Sequence, residues 1–360
     1  MSTPPPPVRI GALAPLTRPG WTEPGHHLLA GLELAVRDVN AADGIAGRPL
    51  ELLVRDTAAD PRRAEAAVGE LADLGVTALA GEYHSVVARA AATRADALGL
   101  PYLCSSAVLD TLTERPTRWV ARLCPPQSRG WRAYADLLLA AGHRRIAVAT
   151  QPSVYWASGT RVLREHVTPH GGTVTALDTT ALTPTAVRDA LLAHGATALL
   201  LLVGHPDPAV PLVQAVRQDP RLAGVLIGAP AGQPEFASWA AALGADGAAV
   251  PFLRYLPAHL TPLGARVATA LRERLGAAPS FVAFEGYDTI AVLAQALRSH
   301  GTDRARVAEA WPSVTVDGTR GRIAFSRPPG GAVWQWAGAP VQVADRDPAA
   351  PDRFRVRHTG

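Results

Sequence analysis

The sequence predicts an α/β fold of two doubly wound lobes, each a parallel sheet covered by helices. Three observations predict it. Apolar strand-like runs alternate with helical patterns along almost all of the 360 residues, and repeated strand–helix units require parallel sheets sheathed on both faces. The alternation breaks at Pro125-Pro126 and then restarts, which divides the units into two series. A chain of this length also exceeds what one core ordinarily organises, so two domains are expected. Its 48% hydrophobic and 18% charged residues are the balance of an ordinary globular protein.

The elements follow in order. "VRIGALA" (8–14) is a strand, and Leu28, Leu29, Leu32, Ala35, Val36 and Val39 recur at helical spacing in a helix near 26–42. The stretch "DGIAGRPLELLVRD" turns through Gly44 and Gly47 into a second strand. Asp60-Pro61 opens the next helix with a cap residue and proline at the first position. "GVTALAG" is a third strand, followed by a helix after Ser85, then "LPYLC" and "RWVARLC" as the fourth and fifth. Beyond Pro125-Pro126 come a helix near 128–141, the strand "RRIAVAT", and a helix near 157–168. "GGTVTAL", a helix from about 184, "TALLLLV", a helix near 208–218 and "GVLIG" continue the series. A helix near 233–243 precedes "GAAVPFL"; helices at 261–275 and 280–299 lead to "GRIAF" and a strand-rich tail, "AVWQWAGAPVQV" and "RFRVRH". Ligands of this architecture bind beyond the carboxyl ends of the strands. Segments 76–85 and 100–108 each end a strand in a hydroxyl, Ser85 and Ser106, expected at a helix start on that rim.

Several functions are excluded by what is missing. Net charge is +4, and all 35 basic residues are scattered arginines, with no basic helix or tail for nucleic acid. "MSTPPPPVRI" lacks the basic start and apolar run of a secretory signal, so residues 1–7 read as an extended leader. As written, the expected location is cytoplasmic; it is extracytoplasmic if a leader has been removed. No apolar run approaches the ~18 residues of a membrane span. Cys104 and Cys124 are too few for a metal site or disulfide scaffold; two buried free thiols are expected, with a mutual disulfide as the alternative. No nucleophile elbow, glycine-rich dinucleotide fingerprint, P-loop or zinc motif occurs. His26-His27 are adjacent, whereas zinc ligands on a helix need spacing of three or four, so surface or capping roles are expected. Glu285 and Asp288 have helical spacing and could form an acid site; a helix-surface or hinge role is the plainer reading. No catalytic constellation remains, so the chain reads as a non-enzyme with no cofactor.

A family resemblance is carried by particular residues. The opening contains I-G-x-x-x-P-L-T (10–17), L-A-V-x-x-x-N (34–40), a D-G-I-x-G-R turn with Asp43 at its first position, and D-x-x-x-D-P-x-x-A (56–64). With "LAGEYHS" (79–85), "LGLPYLCSSA" (98–107), "FEGYDTIAVLAQAL" (284–297) and "GTRGRIAFS" (318–326), these resemble type I periplasmic binding proteins, in the leucine/isoleucine/valine-binding branch of ABC-transporter substrate-binding proteins. "GEYHS" and "SVYWASG" (153–159) are also similar to the cytoplasmic amide-sensing regulator of aliphatic amidase operons.

The resemblance implies two Rossmann-like lobes joined by a three-segment hinge, lobe one being 8–124 and 254–326 and lobe two 125–253 and 327–360. It implies a ligand held between lobes that close over it. Ser85 matches the serine that bonds a ligand carboxylate or amide, and Ser106, with Ala107 beside it, the residue whose backbone N–H reaches the same group. A hydroxyl with N–H groups at a helix start suits an anion or carbonyl; helix capping alone is the other reading of Ser85. Tyr83, Tyr155, Trp156 and Trp21 are candidate aromatic walls. Val108 stands where amino-acid binders carry Thr, Pro230 where they carry the acid for the ammonium (Glu235 is nearby), and Gly204 where they carry an aromatic. These departures disfavour a zwitterionic amino acid, because a buried ammonium without a partner is costly. The implied function is binding of an amide, carboxylate or amino-acid-like ligand for an ABC permease, or, as a cytoplasmic sensor, for a partner regulator. A monomer or homodimer is expected, with no nucleic acid and no membrane insertion.

Overall fold

The computed structural model describes residues 5–328 and 330–360. Of the expected leader, residues 1–4 lie outside the described residues. The chain forms two compact units: one runs through Pro125 and resumes over Leu256–Pro340, and the other comprises Pro126–Tyr255 and Val341–Gly360.

The first unit is built on an eight-stranded sheet. It contains β1 (Val8–Ala14), β2 (Leu50–Asp56), β3 (Ala78–Gly81), β4 (Tyr102–Cys104), β5 (Val120–Arg122), β11 (Thr315–Gly318), β12 (Gly321–Ser326) and β13 (Trp334–Trp336), in the order β11-β12-β13-β5-β4-β3-β1-β2. From β2 to β13 neighbours run parallel; β12 and β11 add antiparallel. Helices α1 (Glu23–Ala41), α2 (Pro61–Asp73), α3 (Ser85–Ala97), α9 (Pro262–Leu275), α10 (Phe281–His300) and α11 (Arg304–Glu309) belong to the same unit. The α2 start follows its sequence signal: the Asp60 carboxylate accepts from the Arg62 and Arg63 N–H groups, with Pro61 at the first position. One apolar core joins Val68, Leu71, Val87 and Ala91 of α2 and α3 to Leu13, Leu79 and Tyr102 of the sheet.

The α1 and α10 backbones approach closely. A Cβ on Gly31 would stand 1.9 Å from the Ala283 carbonyl oxygen, and one on Gly286 would stand 2.4 Å from that of Leu28. Glycine on each helix therefore sets the approach of the two backbones. His27 on α1 is buried, and its Nδ1 accepts from the Ser280 N–H at 3.0 Å, so it caps the start of α10.

The second unit holds a parallel sheet, ordered β7 (Thr173–Asp178), β6 (Arg145–Thr150), β8 (Ala198–Leu202), β9 (Leu226–Gly228). It also holds an antiparallel sheet of β10 (Phe252–Arg254), β14 (Gln342–Asp347) and β15 (Ala350–Thr359). Helices α4 (Gln127–Ala140), α5 (Val154–Val167), α6 (Pro184–His194), α7 (Ala209–Arg217) and α8 (Ala237–Leu243) complete it. Leu199, Leu201, Val213, Val216 and Trp239 lie in its buried core.

The structure departs from the sequence reading in several elements. The expected helix near 233–243 begins instead as a 3-10 turn, Gln233–Glu235, before α8. The short α11 and β11 had no periodic signal. Residues 327–340 fall in the first unit rather than with 341–360. The reason lies in β13, where Trp334 and Gln335 pair with Ala121 and Arg122 of β5. The Gln335 side chain adds a bond from Arg122 Nε (2.7 Å) and donates to the Cys124 carbonyl (2.6 Å). Cys104 and Cys124 are both free and buried, so the disulfide alternative does not hold. Among the described residues, no helix is long and apolar enough to cross a membrane.

Candidate functional site

In the first unit the strand order β2-β1-β3-β4 reverses direction between β1 and β3. Connections leaving the two strands diverge there and open a crevice at their carboxyl ends. Trp21 follows β1 and Tyr83, His84 and Ser85 follow β3. The Trp21 and Tyr83 rings meet edge to face at 5.9 Å, and Tyr83 meets His84 at 5.2 Å.

Glu82, which the sequence did not single out, builds this turn. It is fully buried; the Thr57 hydroxyl donates to its Oε2 at 2.7 Å, and the Tyr83 and His84 N–H groups donate to Oε1 at 2.8 and 3.0 Å. Gly81 before it has φ +110°, and a Cβ there would lie 2.0 Å from the Leu13 carbonyl oxygen, so only glycine fits. Its place between glycine and tyrosine in "GEYHS" was the only signal available for Glu82.

Ser85 is the first residue of α3, whose N-cap is His84, a side chain that makes no capping bond. The Ser85 hydroxyl accepts from the Leu109 N–H at 3.2 Å and so holds the loop after β4, leaving its proton for another acceptor. Ser105 Oγ accepts from the Gly81 N–H at 3.1 Å and pairs with Thr289 Oγ1 at 2.8 Å, tying β3 and β4 to α10.

Ser106 does not begin a helix. Residues 105–119 are a loop leading to β5, and the Ser106 N–H donates to the Glu82 carbonyl at 3.3 Å. Ser106 is 4% exposed. Ala107 is fully buried, and its carbonyl accepts from Cys124 Sγ at 3.0 Å and Cys104 Sγ at 3.7 Å. Burial pushes the Cys104 thiol up to about 11 and raises the Cys124 thiol well above its usual value, so both stay protonated.

The second unit repeats the reversal between β6 and β8. Tyr155 and Trp156 sit there in the first turn of α5, half-buried, with ring centroids 4.7 Å apart. Ser153 caps the helix by accepting from the Tyr155 N–H at 3.2 Å, and the Tyr155 carbonyl accepts from Gln127 Nε2 at 2.9 Å. Thus Trp21, Tyr83, Ser85, Ser106 and Ala107 come from neighbouring strand ends of the first unit, and Tyr155 and Trp156 from one strand end of the second.

Asp56 and Glu235, near these strand ends, are committed internally, as Glu82 is. Asp56 Oδ1 accepts from the Leu16 and Ala58 N–H groups, both at 2.8 Å, and Oδ2 from the Thr17 hydroxyl. Burial opposes its ionisation, but those bonds outweigh it and hold the carboxyl below its usual range. Glu235 pairs with Arg254 Nε at 2.8 Å, its side chain 1% exposed.

Beneath the rim lies a buried ionic cluster. Arg320 Nε donates to Asp288 Oδ2 at 2.9 Å and Nη1 to Glu285 Oε1 at 3.2 Å; all three side chains are completely buried. Thr319 donates to Asp288 Oδ1 from its N–H (2.7 Å) and hydroxyl (2.9 Å). The helix-surface reading of Glu285 and Asp288 is therefore corrected: α10 is buried on almost every face, and the pair faces Arg320 inside it. Burial pushes Glu285 up to about 7 despite the opposing pull of Arg320 and Ser106, and it raises Asp288 as well. Among the described residues, no group of His, Cys, Asp and Glu could hold a metal ion.

Comparison with known proteins places this architecture. The chain is 34% identical over 133 residues to Leu/Ile/Val-binding protein homolog 8 of Brucella abortus (strain 2308), covering 37% of this chain and 32% of that protein. It is 31% identical over 144 residues to Leu/Ile/Val-binding protein homolog 7 of Brucella melitensis biotype 1, covering 39% and 34%. The matched part thus spans about a third of the length of these curated relatives. Among solved structures it is similar to the leucine binding protein LivK of Thermotoga maritima MSB8 (TM-score 0.82, 21% identity, 97% of each chain). It is likewise similar to an ABC transporter solute binding protein of R. palustris in complex with benzoate (TM-score 0.81, 17% identity, 98% of this chain and 96% of that one). At such identities these structures bear on the fold alone. A family model described as periplasmic binding protein matches residues 7–346, nearly the whole chain. With two doubly wound units, reversals that open rims at their strand ends, and a match running through both, the chain belongs to the periplasmic binding protein family.

Proposed function

We propose that the chain is the substrate-binding component of an ABC transporter, and that its ligand is a small carboxylate or amide without an α-ammonium. The family consists of binding proteins rather than enzymes. The observation that carries the ligand reading is the commitment of three acids near the strand ends. Glu82 is taken by a hydroxyl and two N–H groups, Asp56 by N–H groups and a hydroxyl, and Glu235 by Arg254. A buried ammonium would meet no uncommitted carboxylate among them, and leaving it unpaired costs several kcal/mol. Hydroxyls at Ser85 and Ser106 and aromatic rings at Tyr83, Trp21, Tyr155 and Trp156 suit a carboxylate or amide on a flat apolar body. The R. palustris neighbour is a complex with benzoate, which is of that kind.

In this reading the ligand engages Ser85 and Ser106, and the lobes close over it with Tyr155 and Trp156. The ligand shifts the population toward the closed form only by its differential affinity for that form. A permease reads the closed form, which places the protein outside the cytoplasm. A partner regulator reading it in the cytoplasm is the alternative, and stimulation of a permease's ATPase by the loaded protein separates the two.

Isothermal titration calorimetry with benzoate, benzamide and L-leucine tests the ligand class. Benzoate or benzamide is expected to bind at least tenfold tighter than L-leucine. Ser85→Ala is expected to weaken that binding tenfold or more, about 1.4 kcal/mol. Preference for L-leucine, or affinity unchanged by Ser85→Ala, overturns the reading.

A further inference from the structure

The two ring nitrogens of His84, in the turn between β3 and α3, lie in different surroundings. Nδ1 is enclosed without a hydrogen-bond partner, 3.6 Å from Glu82 Oε1. That separation is too long for a hydrogen bond. The ring also packs edge to face against Tyr83. The side chain keeps 26% of its surface exposed. Nε2 is not among the enclosed atoms and bonds to no described residue.

We propose that His84 is a specificity-determining residue of the first unit's rim: Glu82 keeps the proton of the neutral ring on Nδ1, so that Nε2 offers the ligand an acceptor and selects a carboxamide over a carboxylate. A neutral imidazole has one N–H and one lone pair, and what each nitrogen faces decides which is which. The oxygen facing Nδ1 already accepts from the Tyr83 and His84 N–H groups, while the Thr57 hydroxyl donates to the other oxygen. Glu82 is thus used as an acceptor throughout. A ring lone pair turned toward Oε1 would add repulsion that no water screens in so enclosed a place, whereas an Nδ1–H is attracted to it.

The next residue supplies the opposite group. Ser85 Oγ takes the Leu109 N–H and keeps its own proton to donate. Consecutive residues of the rim therefore carry an acceptor, His84 Nε2, and a donor, the Ser85 hydroxyl. A carboxamide is the complement of that pair, its carbonyl accepting from Ser85 and its N–H donating to His84. A carboxylate brings acceptors only and leaves the Nε2 lone pair unmatched. Sites built to bond a ligand N–H or O–H reject the analogue that lacks it. The inference rests on the reading of Ser85 as a ligand contact, and it narrows the ligand class proposed above to the amide.

Nitrogen-15 NMR of the full chain at pH 9 reads the tautomer directly, with the His84 ring signals assigned by their loss in His84→Phe or His84→Gln. The proton is expected on Nδ1, and its share there is expected to fall in Glu82→Gln. Calorimetry with benzamide and benzoate at the same pH tests the selection. Wild type is expected to bind benzamide at least tenfold tighter than benzoate. His84→Phe keeps an aromatic ring without nitrogens; it is expected to weaken benzamide binding at least tenfold and benzoate binding less than threefold. His84→Gln restores an acceptor in its side-chain carbonyl and is expected to bind benzamide within threefold of wild type. A wild-type proton on Nε2, a tautomer unmoved by Glu82→Gln, benzoate bound as tightly as benzamide, or equal losses for both probes in His84→Phe overturns the proposal. If neither probe binds wild type, the ligand reading fails, and the spectrum decides the acceptor by itself. A proton on Nδ1 supports it, and one on Nε2 overturns it.

Discussion

His27 shows how one side chain can dictate a response to acid. Its Nδ1 accepts a backbone N–H, which places the neutral ring's proton on Nε2, and burial, chiefly, lowers its pKa to about 4. Between 6.5 and 4 the unfolded chain takes up a proton that the folded chain refuses, so this residue's contribution to stability falls as pH drops, by roughly 3 kcal/mol at pH 4. Glu285, pushed up to about 7, acts in the opposite sense. Its contribution is full below its unfolded pKa near 4.5 and is lost as pH rises through 7. The two slopes oppose each other from 4.5 to 6.5, and the raised Asp288 adds to the Glu285 side. Calorimetric scans of His27→Gln should show stability rising as pH falls across that window. A profile parallel to wild type would contradict the buried neutral ring. Ser85 and Tyr83 were legible through the resemblance because a short motif surrounds them. Glu82 was not, because a lone acid in a turn looks like surface charge until Thr57, 25 residues earlier, is seen bonding it.

At the level of elements, the α1–α10 contact makes the sharpest demand on sequence. Gly31→Ala places a methyl against the Ala283 carbonyl oxygen, an atom fixed within a helix. The helices must separate, and overpacking of this kind costs about 1–3 kcal/mol or more. The melting temperature is expected to fall by several degrees. Gly69→Ala is the control: its Cβ meets nothing nearer than Arg94 Nη2 at 3.8 Å, and alanine's helix preference should leave stability equal or higher. Equal stability of the two variants would show that the helices are not in such contact. Helical period and caps made α1 and α2 readable in advance. They could not reveal α11, six residues long, or the four-residue β11, both shorter than the window in which periodicity is visible. Alternation identified β13 as a strand but not its sheet, because the Gln335 bonds that fix it there join residues more than 200 positions apart.

For the whole molecule, the break at Pro125-Pro126 marked one passage between the units, and Tyr255-Leu256 and Pro340-Val341 mark the others. Only the first carries a compositional signal, which is why the first unit's fold was clearer than the tail's destination. The two cysteines, both in the first unit with sulfur directed at the Ala107 carbonyl, follow that division. Neither is exposed and neither forms a thiolate near neutrality, so a maleimide dye is expected to leave the native chain unlabelled and to take both positions in denaturant. Rapid labelling in native buffer would contradict their burial. Dye uptake then times the opening of the first unit. A cysteine introduced at any exposed position would accept one fluorophore with both native thiols left in place, which makes the protein ready for single-molecule work without a cysteine-free background.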